Sequence, residues 1–280
     1  MVLEALVDAE SAAKNPVKIT VLSFFFVTLG IWVAQFFESN IAGIMATVAV
    51  LLPSIPLINS FFSYEEKQTE REIQLLHSHT LARHLDVLIV LVAYFIGLII
   101  GFTFWHLALP QELSAHIFQN QISELQAIQG ALTTGFATKF TLVQAFELVF
   151  MNNLQVLAII LIASVVYGAG SIFILIWNAS IIGVFIGSLA QEYVFQMAPE
   201  YSVAVGLSRG VFGLIPHGSF ELLAYLTAAL AGGILSRAII RKAYKKPEFA
   251  VILYDVAKLV SWAILFLAIG ALIESNAIVL

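Results

Sequence analysis

Residues Leu148–Gln191 read LVFMNNLQVLAIILIASVVYGAGSIFILIWNASIIGVFIGSLAQ, and none of them carries a charge. A helix crossing the hydrocarbon core of a bilayer uses about 20 residues. The run is therefore too long for one span and long enough for two. The joint should fall where the backbone is freest, and Tyr167-Gly168-Ala169-Gly170-Ser171 supplies paired glycines. The reading is two spans, Leu148–Tyr167 and Ile172–Ala190, with a turn between them. The architecture follows from that cut: all-α, a polytopic helical membrane protein.

The composition agrees. Of 280 residues, 60% are hydrophobic and 11% are charged, where a soluble domain has about 25% charged residues. The charges are clustered, and 22 phenylalanines lie in the apolar runs between them. A net charge of −5 gives no reason to expect a nucleic-acid partner, and the absence of cysteine excludes disulfides and thiol chemistry. Glu4, Asp8 and Glu10 are acidic where a cleavable signal would be basic, so the first apolar run is expected to stay as an anchor. Leu3, Leu6 and Val7 suit a short interfacial helix over Met1–Ala13.

Working outward from the long run, Thr141 and Gln144 have the spacing of a capping box, which starts a helix at Leu142. Gly130–Lys139 before it reads as a loop. Within the polar stretch Pro110–Glu147, Leu113, Ile117, Leu125 and Ile128 share a helical face. Earlier spans are Val87–Leu109, Ile41–Phe62 with Pro53 and Pro56 inside it, and Ile19–Phe37. Tyr64–Asp86 has Ile73, Leu76, Leu81 and Leu85 at spacings of an amphipathic surface helix. Downstream, Tyr201–Ile215 is too short to span and contains Arg209 and three glycines, which reads as a re-entrant segment buried in protein. Pro216–Ser236 and Phe249–Ile273 complete about seven transmembrane helices, each near the length a bilayer demands.

Alternating sides then test the cut. With the N-terminus in the cytoplasm, only Lys139 and Arg209 of the 13 Lys and Arg residues fall outside. The positive-inside rule favours that arrangement, which leaves the C-terminus extracytoplasmic in the cell membrane.

Polar residues inside the apolar runs are the candidates for function. His217 and Glu221 are four apart, on one helical face just after Pro216, with Gly218 between them. His217, Arg209, Asn153 and Asn178 are the donors nominated for Glu221. Gly168, Gly170, Gly183 and Gly187 are assigned to close helix packing, the first two also to the turn, with approach of a ligand as the alternative. The bland alternative for all of them is interhelical adhesion. His77, His79 and His84 lack metal-binding spacing, so neither metal nor cofactor is expected. Asp255 and Lys258 read as an ion pair three residues apart. No nucleotide loop, hydrolase elbow or dinucleotide fingerprint occurs, so no enzyme is expected.

Asn152-Asn153 opening an apolar span, Gly168 and Gly170, Asn178, Pro216-His217-Gly218 with Glu221, and Gly232-Gly233 occur in that order. The ordered set resembles the stage II sporulation protein M family over about Val87–Ala238, with Asn178-Ala179 where the family has Asn-Gly. Three regions follow: a two-span extension (1–86) ending in the cytoplasmic amphipathic helix, a family-like membrane domain (87–238), and a basic cytoplasmic loop with a last span (239–280). The resemblance implies a multi-pass protein that helps localise cell-wall hydrolases in spore formers. The expected function is a non-enzymatic scaffold or localisation factor of a cell-envelope complex. Its partners would be membrane lipids and envelope proteins, with a homo-oligomer allowed. The alternative is a transporter or channel built on the His217/Glu221 pair.

Overall fold

A computed structural model of the chain describes residues 15–72, 84–138, 141–168, 170–194, 199–245 and 249–279. Among them every long element is a helix. These are α1 (Pro16–Ala34), α2 (Ser39–Glu72), α3 (Leu85–Ala108), α4 (Gln111–Ile117), α5 (Gln119–Thr138), α6 (Leu142–Tyr167), α7 (Ser171–Val194), α8 (Pro199–Ile240) and α9 (Phe249–Val279), with a 3-10 turn at Ala243–Lys245. Seven of these, all but α4 and α5, are long and apolar enough to cross a membrane. The chain is a polytopic helical membrane protein.

The cut at the paired glycines holds. Helix α6 ends at Tyr167, Gly168 turns with φ 62°, and α7 begins at Ser171. The start of α6 is also where the capping signal puts it. The Thr141 hydroxyl accepts from the Gln144 amide at 3.3 Å, and the Gln144 side chain accepts from the Thr141 amide at 3.0 Å. Both bonds satisfy groups that a helix start leaves unpaired.

Helices α1, α3, α7, α8 and α9 pack side by side in that order, α2 lies against α1, α7 and α8, and α6 lies against α8 and α9. Close approach comes from small residues, since lipid offers no hydrophobic drive for one helix to leave it for another. A Cβ on Gly97 of α3 would collide with Ser23 and with the backbone at Thr20 of α1. Gly206 of α8 lies equally tight on Ala190 of α7. Polar side chains also fasten one helix to another. Tyr94 donates to Ser54 at 2.6 Å, and Trp105 donates to Thr28 at 3.0 Å.

Four expectations need correction. Tyr201–Ile215 is not re-entrant: it is the first half of α8, which continues unbroken through Pro216 to Ile240. Its glycines do not loosen the helix but seat it on α7, where Gly206 and Gly210 face Ala190 and Ile186. At 42 residues and about 1.5 Å per residue, α8 is about 63 Å long. Gly130–Lys139 is not a loop, because α5 runs to Thr138. The polar stretch after Phe62 begins as a continuation of α2 to Glu72, not as a separate surface helix. Lys258 places its ammonium 4.2 Å from the centre of the Tyr254 ring in place of the expected pairing with Asp255. The expected interfacial helix at Met1–Ala13, and Ile73, His77 and His79, lie outside the described residues.

The segment that does fold back is α4–α5. Ser114 of α4 hydrogen-bonds the His106 ring at 3.0 Å, eight residues earlier in α3. Phe118 is fully buried and meets the rings of Phe102 and His106 edge-on. Asn120 donates to the Asn40 carbonyl at 2.8 Å, and buried Gln121 donates to Ser180 at 3.1 Å.

Candidate functional site

Glu221 lies on α8, where Asn153 of α6 donates to its Oε1 at 2.7 Å. Tyr225, one turn further along α8, donates its hydroxyl to the Asn153 Oδ1 at 2.9 Å. Both halves of one amide are thus used, which fixes how Asn153 is turned. The third wall is α9. Glu274 stands within hydrogen-bonding reach of Glu221. Gly270, one turn before Glu274, lets the two helices close: a Cβ there would lie 3.2 Å from the Glu221 side chain and 3.2 Å from the His217 carbonyl.

Two carboxylates have no donor between them, so a hydrogen bond joining Glu221 to Glu274 needs one shared proton. The cluster can hold that proton, or present carboxylate oxygens to a cation in its place. Among the described residues no three or more acidic or imidazole side chains converge to hold a metal ion.

The other nominated residues are placed elsewhere. Arg209 donates to the Tyr193 hydroxyl and lies over that ring at 5.1 Å. Asn178 donates to the Ile174 carbonyl of its own helix at 2.8 Å. His217 contributes its backbone carbonyl to the Gly270 contact, and among the described residues its ring makes no hydrogen bond. Pro216 is exposed within α8, and Gly218 has only Leu214 of its own helix within reach. Gly170 closes the α6–α7 turn against Tyr167 and the Ala163 carbonyl. Asn153 alone of the four nominated donors reaches Glu221.

Tyr225 and Glu274 escaped the sequence reading. Tyr225 is four residues from Glu221 and eight from His217, so the same helical face already included it. Glu274 follows directly on the apolar run ending at Ile273, where it looks like the first polar residue outside the bilayer.

A second polar knot also escaped it. His106 is 3% exposed. Its Nδ1 meets Ser114 at 3.0 Å, and its Nε2 meets Ser188 of α7 at 3.2 Å. Ser114 spends its only proton on the His106 carbonyl, 3.1 Å away. With that proton so used, the tautomer protonated at Nδ1 donates to Ser114 and leaves Nε2 to accept from Ser188. Gln191 donates to the same carbonyl at 3.3 Å. The knot ties α3, α4 and α7 at one end of the bundle.

No curated protein and no solved structure is significantly similar to the chain. A family model described as Stage II sporulation protein M matches residues 87–277, a stretch that takes in every residue of the Glu221 cluster and of the His106 knot. That match covers well over half of the sequence, and the chain belongs to the stage II sporulation protein M family.

Proposed function

We propose that the protein is a non-enzymatic membrane scaffold that holds envelope proteins in place, with α4–α5 as its docking element. The carrying observation is how firmly that pair is tied. Ser114, Asn120 and Gln121 anchor it to α3, α2 and α7, while Glu124 and Gln126 face outward. A rigid helix with an exposed polar face offers a partner a preformed surface at little ordering cost. Beside it a cavity of about 210 Å³, lined by Leu125, Gln126, Phe185, Leu189 and Glu192, could receive one side chain of a partner. The unbroken course of α8 supports this reading, since it removes the discontinuous helix that transport sites use.

The test is gentle detergent extraction after chemical crosslinking in cells. A defined protein should copurify with the native chain and be reduced several-fold with Glu124→Lys/Gln126→Lys, at equal expression. Equal recovery with that variant would remove α4–α5 as the docking element.

One observation favours transport instead: the Glu221–Glu274 carboxyl pair. Reconstitution in liposomes decides this. Proton or sodium flux that is lost in Glu221→Gln would support a transporter, and absence of flux would leave the scaffold.

A further inference from the structure

Helix α6 turns two amides out of the bundle. Asn152 and Gln155 are both exposed, and among the described residues neither makes a side-chain hydrogen bond. Gln155 lies 13 residues from Leu142 and 12 from Tyr167, the ends of α6. At about 1.5 Å per residue it is about 18 Å from the Tyr167 end and about 12 Å beyond Glu147, the last charged residue before it, too deep for a short side chain to reach water. Polar groups inside hydrocarbon have to find partners, and amides on transmembrane helices find them on other helices.

The surroundings of these amides are patterned. Leu148, Gln155 and Ile162 recur every seven residues, and so do Asn152, Ile159 and Val166. The two series alternate at spacings of four and three, which is the seam of a left-handed coiled coil. The four apolar members are all exposed, from 48% at Leu148 to 63% at Ile162. Interior positions of α6 fall between these: Ala145, Val149, Leu157, Ile160 and Ser164 are buried against the rest of the chain. The helix therefore has one face for its own bundle and a second, heptad-spaced face with nothing on it among the described residues.

We infer that this face pairs with the same face of a second copy of the chain. Copies inserted the same way meet with parallel helices at equal depth. Asn152 then faces Asn152 and Gln155 faces Gln155. An amide is both donor and acceptor, so each pair is self-complementary, and the isologous contact closes as a two-fold dimer. A polar residue at one seam position sets register and favours dimers. Here two adjacent seam positions are polar. The inference is independent of whether the protein is a scaffold or a transporter.

The chain contains no cysteine, so single introduced cysteines report without background. Ile162→Cys and Val166→Cys keep both amides and should give a disulfide-linked species of twice the monomer mass on oxidation in native membranes. Ile264→Cys, also exposed but on α9, should not. Adding Asn152→Leu/Gln155→Leu to Ile162→Cys should lower the yield about tenfold, the size expected of two interhelical amide contacts. Thermal unfolding of that triple variant in detergent should match Ile162→Cys alone, because the amides support nothing within the monomer. The inference is overturned by equal yield at Ile264→Cys, by no dimer at Ile162→Cys, by a crosslinked species of another mass, or by a yield indifferent to the two leucines.

Discussion

The Asn153 amide is what makes Glu221 testable at the residue scale. It donates to Glu221 and accepts from Tyr225, so removing the carboxyl strands a donor that water cannot reach easily. Glu221→Ala should lower the unfolding free energy by about 1–3 kcal/mol, the cost of leaving a buried polar partner unsatisfied. Glu221→Gln keeps an acceptor of the same shape and should cost well under half of that. Thermal unfolding in detergent separates the two, and equal losses would mean that the cluster does not depend on the amide contact. His217 and Glu221 were legible because a histidine and a carboxyl four residues apart inside an apolar run are rare and costly. The partner was legible only as one nominee among several. Asn153 and Glu221 are 68 positions apart, and nothing in either segment's periodicity announces which donor arrives. Arg209 was the nearest basic residue in sequence, yet α8 runs straight on and carries it to Tyr193 instead.

Signals that act within one turn were readable at the scale of elements. The α6 start rests on the side chains of Thr141 and Gln144 and their own backbone. Thr141→Ala should therefore destabilise the protein by about 1 kcal/mol, seen as a lower detergent melting temperature, while Thr141→Asp should be neutral. A loss with aspartate as large as with alanine would show that the cap is not what matters. The α8 error has the same logic reversed. Gly206, Gly210 and Gly213 each weaken a helix taken alone, Arg209 is costly inside hydrocarbon, and Pro216 is a strong breaker. Packing overrides them. Gly206 and Gly210 let α8 lie on α7, while Pro216 is exposed, where its missing N–H burdens no buried acceptor. Local propensity predicted a break, and tertiary contact removed it. In the same way the fold-back of α4–α5 depends on Ser114 finding His106 and Gln121 finding Ser180, pairings that exist only once α3 and α7 are side by side. Gln121→Leu should loosen that attachment, raising proteolysis within α5 several-fold while α6–α9 stay protected; unchanged cleavage would show that the Ser180 bond is dispensable.

For the whole molecule the open quantity is orientation. Seven helices are long and apolar enough to span; if all seven cross, the two ends lie on opposite sides, and the absorption of Tyr201–Ile215 into α8 leaves that parity unchanged. We propose the N-in, C-out arrangement from the distribution of basic residues. The turn around Ala243–Lys245 carries Arg241, Lys242 and Lys245, and the last two turns of α2 carry Lys67 and Arg71, all on one side of the bundle. Arg237 reinforces the grouping, since it donates to the Asn59 carbonyl at 3.3 Å and ties the last turn of α8 to the second half of α2. The opposite side has α4–α5, whose acidic residues Glu112 and Glu124 say little about orientation, because the rule counts Lys and Arg and not net charge. Reporter fusions after Glu112 and Glu200 should be active as extracytoplasmic, and one after Lys246 as cytoplasmic. If the Glu200 and Lys246 fusions report the same side, α8 does not cross and the seven-span count falls to six. If all three report inverted sides, the helices stand but the basic clusters do not set the direction. The proposed docking helices α4–α5 would then face the cytoplasm, and a partner would have to be sought among cytoplasmic proteins and not in the outer envelope.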